Sequence, residues 1–348
     1  PILENILIKV NYKNIVLTAN NLEMAIEKVI TEWIKIDVEW SFCIPSRIFT
    51  NYIGLLNDDK VNIELLKNNS IELKTQSSDI KIKWSDAWDF PLIPNVKETI
   101  SFDINSSILI KSIEKTLFSS AEWNIRPTLA WIFVDVSWNK AKFATTDSFR
   151  LSEYKVDLEK ELETNFSQII PSKTAFQIKN ILESNIWVKV IAWENQIVFL
   201  YDNIKIYSRL LNWNFPNYNW FFPSLFNTKS IINRVDLMQA LKKINLISKE
   251  NNYSIKMSFS LDGNILLETS QTQIWEWKIF ITWSVEWEET IIWLNSVYFL
   301  EALWVIETTH VSISFESPLS PIMITPVDDE WKQKKSDNFK HIIMPLKI

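Results

Sequence analysis

The sequence predicts an α+β protein made of three repeats of one unit, each an antiparallel sheet with two helices on one face. The first observation is a recurring strand-to-helix transition. Ile44-Pro45-Ser46-Arg47 leads into Ile48-Phe49-Thr50-Asn51-Tyr52-Ile53, Ile170-Pro171-Ser172-Lys173 into Thr174-Ala175-Phe176-Gln177-Ile178, and Trp293-Leu294-Asn295-Ser296 into Val297-Tyr298-Phe299-Leu300. The second is that other landmarks keep the same step of about 125 residues. Asp89-Phe90-Pro91 returns as Asn214-Phe215-Pro216, and Pro1-Ile2-Leu3 returns as Pro127-Thr128-Leu129. The third is that each transition begins on a Ser or Asn, the residue types that cap helix N-termini, and then shows helical periodicity.

Taken in order, these signals divide the chain into modules at 1–98, 99–224 and 225–348. The second module opens with a strand at Thr99 to Phe102 and a helix at Ser106 to Phe118; the third opens with a strand at Ser230 to Arg234 and a helix at Asp236 to Ile247. The first module has no counterpart of either, so the repeat leads us to expect roughly 25 residues ahead of Pro1. Alternating runs joined by turn residues follow in each module. Ser137-Trp138-Asn139 in the second module matches Asp262-Gly263-Asn264 in the third.

Composition narrows the function classes. The 348 residues are 47% hydrophobic, enough for a sizeable core, and no apolar run approaches the length that a membrane span needs. No signal-peptide pattern opens the chain, so a cytoplasmic protein without a membrane partner is expected. The single Cys43 excludes an internal disulfide, and His310 and His341 are too few for a His-rich metal site; neither metal nor cofactor is expected. A net charge of −6 argues against a uniformly basic surface but permits a locally basic one.

One compositional feature stands apart. The chain has 18 Trp and 2 Gly, against an average glycine share of about 7%. Trp138 and Trp193 read as hairpin-turn residues, where positive φ favours Gly, and Trp40, Trp84, Trp88, Trp213, Trp287 and Trp331 keep turn company. The expectation is that a codon read as glycine in the source organism stands here as tryptophan, a pattern resembling bacterial lineages that reassign a stop codon. The alternative is a truly Trp-rich chain with aromatic stacking platforms.

Four further motifs carry a family resemblance: Arg126-Pro127-Thr128-Leu129-Ala130-Trp131, Ala144-Thr145-Thr146-Asp147-Ser148-Phe149-Arg150-Leu151, Asn214-Phe215-Pro216-Asn217-Tyr218, and Ile342-Ile343-Met344-Pro345-Leu346-Lys347-Ile348. In this order on a threefold repeat, the chain resembles the bacterial DNA polymerase III β subunit, the sliding clamp, over its whole length. The resemblance implies a homodimeric ring with sheets outside and helices lining the hole. The ring holds double-stranded DNA without reading sequence, and it tethers DNA polymerase III, clamp-loader subunits and other proteins carrying a clamp-binding motif. Trp84, Trp131, Trp213 and Trp293 stand where the family usually has Gly.

The implied DNA-facing cations are Arg47, Lys111, Lys115, Arg126, Lys173, Lys179, Lys242 and Lys243. Leu109, Ile113 and Leu117 form the apolar stripe of their helix, with Lys111 and Lys115 on another face; Leu237, Leu241 and Ile244 do the same beside Lys242 and Lys243. The implied partner-peptide pocket takes Leu129, Thr146, Ser148, Phe149, Arg150 and Leu151 from the second module and Pro216, Trp220 and Phe221 from the connection. Asn252, Asn295, Tyr298, Leu319, Pro321, Ile342, Ile343, Met344, Pro345 and Leu346 complete it. The family often has Gly-His at Ser148-Phe149, Arg at Lys347 and a basic residue at Trp220. Leu246 and Ile247 match the implied dimer seam.

Two rival readings stay open from sequence. An enzyme finds little support: no GxxxxGK[ST] loop appears even with Trp read as Gly, two distant histidines make no HExxH or Ser-His-Asp case, and no catalytic residue is assigned. Asp147 beside Arg150 reads as a turn-stabilising pair. The other rival is a clamp-shaped protein-binding scaffold that does not encircle DNA.

Overall fold

The computed structural model describes residues 2–66, 68–93, 96, 100–123, 125–162, 165–193, 195–210, 215, 217–269, 278–282, 284–287, 289–328 and 338–347. Two compact units emerge from its packing, Pro1–Ile104 with Ile186–Leu210, and Asn105–Asn185 with Leu211–Ile348.

In the first unit a nine-stranded sheet runs in the order Ser85–Asp86, Trp40–Pro45, Asn5–Asn11, Asn14–Asn20, Met24–Ile30, Ile204–Arg209, Gln196–Tyr201, Trp187–Trp193, Ile100–Asn105. Met24–Ile30 pairs antiparallel with Ile204–Arg209, Ile206 facing Ile26, so strands far apart in sequence complete one sheet. A three-stranded sheet, Asn62–Leu66, Ser70–Lys74 and Asp79–Lys83, packs Ile71, Leu73 and Ile82 against Ile8, Phe42 and Ile44. Helix α1, Ser46–Leu55, buries none of its residues fully.

The second unit repeats the plan. Its nine-stranded sheet runs Phe166–Pro171, Trp131–Ser137, Lys140–Thr146, Arg150–Asp157, Asn338–Ile343, Ile322–Val327, His310–Phe315, Thr228–Asn233, Ser284–Trp287. A four-stranded sheet is formed by Lys278–Thr282, Asn264–Thr269, Ser254–Phe259 and Thr290–Asn295. Helices α2, Ser106–Leu117, and α3, Ser172–Ile181, pack on each other, as do α4, Arg234–Ser248, and α5, Ser296–Val305. In α4, Leu237, Leu241 and Ile244 recur at three- and four-residue spacing and are fully buried, the inward stripe that the sequence predicts.

Three local expectations need correction. Ser46 and Ser172 are the first residues of α1 and α3; the N-cap positions belong to Pro45 and Pro171, which offer no side-chain cap. Only α5 of the three repeated transitions is capped as expected, Asn295 Oδ1 accepting from the Val297 and Tyr298 amides. Trp193 is the last strand residue, paired with Gln196; Trp40 and Trp287 likewise lie in strands. Trp213 and Trp331 lie outside the described residues.

Candidate functional site

Strand register sorts the predicted residues into two groups. Across the antiparallel pair Arg150–Asp157 and Asn338–Ile343, Leu151 faces Ile342 and Arg150 faces Ile343. Successive side chains point to opposite faces of a sheet. Leu151 and Ile342 therefore share one face, where Ala144, Tyr218, Phe133, Phe215, Phe221, Phe222 and Met323 gather around them. Phe133 and Phe215 stack with ring centroids 4.7 Å apart, and Tyr218 meets both edge-on. One polar feature anchors this aromatic wall: the Tyr218 hydroxyl donates to Glu153 at 2.9 Å, and burial with the Glu153 charge pushes the phenol well above its ordinary range.

Arg150 and Ile343 lie on the opposite face. Ile343 belongs to the core under α4 and α5. The Arg150 guanidinium, 8% exposed, donates to Asp147 at 2.9 Å, to Glu301 of α5 and to the Phe118 carbonyl at 2.8 Å, and lies 4.3 Å over the Tyr298 ring. Asp147 Oδ1 also accepts from the Phe149 and Arg150 amides, so the turn-stabilising reading of this pair holds. Arg150 and Ile343 thus point away from the face that carries Leu151 and Ile342. On the same side, His341 Nδ1 meets Ser152 Oγ at 2.8 Å and Ser152 meets Ser119 at 2.6 Å. Burial, with Arg150 nearby, holds the His341 imidazole well below its ordinary pKa.

At the end of the wall, Phe149 and Met344 are exposed, and the Met344 amide donates to the Phe149 carbonyl at 2.8 Å. Thr146 Oγ1 donates to the Arg150 carbonyl and accepts from the Ser148 amide, fixing a tight turn in which Ser148 has φ 79°. Leu129 ends a 3-10 turn, and its amide donates to the Arg126 carbonyl. Trp220 is exposed and stacks on Phe221 at 3.9 Å. Asn295 donates to the Asn252 carbonyl, Leu346 donates to the Trp293 carbonyl, Leu319 is exposed, and Pro321 and Pro345 are half-buried. Pro216 lies outside the described residues.

The helix cations also divide. Arg47 on α1, Lys173 on α3 and Lys242 and Lys243 on α4 are exposed. Lys111 is partly exposed and donates to Glu307 at 3.0 Å; Lys179 sits 3.5 Å from Glu114. Lys115 departs from expectation: its side chain is 2% exposed, donates to the Val305 carbonyl and lies 3.6 Å from Glu307. It ties α2 to the end of α5 and is not a solvent-facing cation. Burial opposes the Glu307 charge, but Lys111 and Lys115 outweigh it and hold the carboxyl below its ordinary value. Arg126 turns to the Asp147 carbonyl at 3.0 Å and lies 4.9 Å over the Phe149 ring, which places it beside the wall's rim. Neither Glu307 nor the Ser119-Ser152-His341 chain stands out in the sequence, since the groups that give them their roles lie far away along the polypeptide. Leu246 is exposed on α4 and Ile247 is half-buried.

No group of three or more His, Cys, Asp or Glu among the described residues is placed to hold a metal ion, and no described helix is long and apolar enough to cross a membrane.

Comparison with known proteins gives a consistent result along the whole chain. Family models for the N-terminal, central and C-terminal domains of the DNA polymerase III beta subunit match residues 1–94, 103–217 and 220–347. The Beta sliding clamp of Streptococcus pneumoniae is 28% identical over 356 residues, covering 100% of this chain and 92% of that protein. That of Bacillus subtilis is 25% identical over 339 residues, covering 95% and 90%. The crystal structure of the Streptococcus pneumoniae DNA polymerase III beta chain superposes with a TM-score of 0.94 at 27% identity, over 100% of this chain and 93% of that one.

Proposed function

Because the chain belongs to the DNA polymerase III beta subunit family, it is a non-catalytic DNA sliding clamp of replication, and we propose that two copies close a ring around duplex DNA. The modules of that ring are 1–98, 99–224 and 225–348, and the exposed Leu246 with Ile247 contributes to the seam between copies. The helices face the duplex. Phosphate attraction is independent of sequence, so lysines near the backbone hold DNA without fixing its register, and the ring slides.

The observation that carries this reading is the tandem of three domain matches, in order, over nearly the full chain. The exposed Lys173, Lys242 and Lys243 support the DNA-facing assignment. The exposed Phe149 and Met344, lying beside the buried cluster of Leu151, Tyr218 and Ile342, support the second assignment. An apolar cleft with few orienting polar groups takes short peptide motifs with Leu or Phe anchors. Its occupants are segments of the polymerase, the clamp loader and other replication proteins.

The test is a Lys173→Glu/Lys242→Glu/Lys243→Glu chain. Removing one phosphate-neutralising cation reduces the slope of log affinity against log salt by roughly 0.9. DNA retention should weaken and become less salt-dependent; a slope equal to that of the parent chain would remove these lysines from the DNA face.

A further inference from the structure

We infer that the natural chain carries glycine at positions 33 and 138, and that the codon behind its tryptophans is read as glycine by the organism that makes it. This inference is independent of the clamp reading, because it rests on backbone geometry and side-chain surroundings.

The backbone comes first. Ser137 pairs with Lys140, so Trp138 and Asn139 form a two-residue hairpin loop, and only Trp138 of the two has positive φ, at 57°. A hairpin with positive φ at its first loop residue alone follows the pattern in which glycine occupies that position, since a Cβ there crowds the backbone. The corresponding hairpin of the third module, between Ser254–Phe259 and Asn264–Thr269, carries Gly263 at φ 84°. Gly263 ends a longer loop, its amide donating to the Ser260 carbonyl, so the two turns differ in type while each places one residue in the left-handed half of backbone space. Trp33 has φ 58° and a fully exposed side chain. Leu22 and Tyr253 also have positive φ, so the dihedral alone does not single out tryptophan.

The side chains supply the rest. Tryptophan is highly buried on average in folded proteins. Here Trp33, Trp88, Trp138, Trp220 and Trp304 are all exposed, Trp33 and Trp88 at more than nine-tenths. Trp84 shows the opposite defect: its indole N–H is buried without an acceptor, although a buried Trp N–H ordinarily finds one. With 18 Trp and 2 Gly in 348 residues, one substituted codon accounts for the excess and the deficit together.

The deciding experiment is peptide mass spectrometry on the protein purified from its natural source, reading positions 33 and 138. Glycine at both is expected, and tryptophan at either overturns the inference there. A second measurement uses protein made in a host that inserts tryptophan. Trp138→Gly should raise the thermal midpoint by about 1 to 2 °C, because it relieves the backbone strain of a left-handed non-glycine residue. A midpoint that falls would show that the indole stabilises the loop and would count against glycine.

Discussion

Helices α1 and α4 both pack on antiparallel sheet, yet they meet very different surroundings. α4 sinks Leu237, Leu241 and Ile244 into a core shared with α5, the four-stranded sheet and one face of the nine-stranded sheet. α1 buries nothing fully, and Ile48, Ile53 and Leu55 are exposed. Both read as amphipathic in sequence, but within residues 1–348 α4 packs against α5 as well as strands, whereas the packing of α1 is against strands Asn5–Asn11 and Trp40–Pro45. A helix held between a sheet and a second helix has its apolar stripe covered; one without such cover gains little from the same residues.

The largest expected effect lies in the well-covered helix. Leu241→Ala deletes a fully buried side chain and should cost about 3 kcal/mol of unfolding free energy, measured by chemical denaturation. A loss below about 1 kcal/mol would mean that the α4 core is looser than its burial implies.

A smaller effect follows from His341, behind the aromatic wall. Its folded pKa is depressed, so the unfolded chain takes up a proton at higher pH than the folded one does. Its contribution is complete above the unfolded value of about 6.5 and declines as pH falls below it. Thermal midpoints should drop on mild acidification in the parent chain and drop less in His341→Phe. Parallel pH profiles would place the acid sensitivity elsewhere.

The smallest effect belongs to α1. Ile48→Ala should change stability by less than about 0.5 kcal/mol, because the side chain is half exposed. A cost near that of Leu241→Ala would erase the contrast between the two helices.

The repeat was legible in sequence because it is written in local chemistry: an apolar strand, a helix start and an alternating hairpin return at one spacing. The stripe Leu237, Leu241, Ile244 was legible for the same reason. Lys115 was not. Its four-residue spacing from Lys111 places it on the same helix, but its burial comes from Val305 and Glu307, 190 or more residues away. Arg150 and Leu151 are adjacent in sequence, and register across to Ile343 and Ile342 points their side chains to opposite faces of the sheet. Pairing of distant strands decides such faces, and one sequence does not display it. Pro171 at the N-cap of α3 shows the converse, a local position misread because Ser172 beside it is the commoner capping residue type.

The central claim is that this chain encircles duplex DNA, and topology tests it most directly. The chain is assembled by an ATP-driven clamp loader on nicked circular duplex, and the amount bound is measured before and after a single cut linearises the circle. Stable retention on the circle and loss from the free ends after cutting are expected of an encircling ring; equal retention on circular and linear DNA would contradict encirclement.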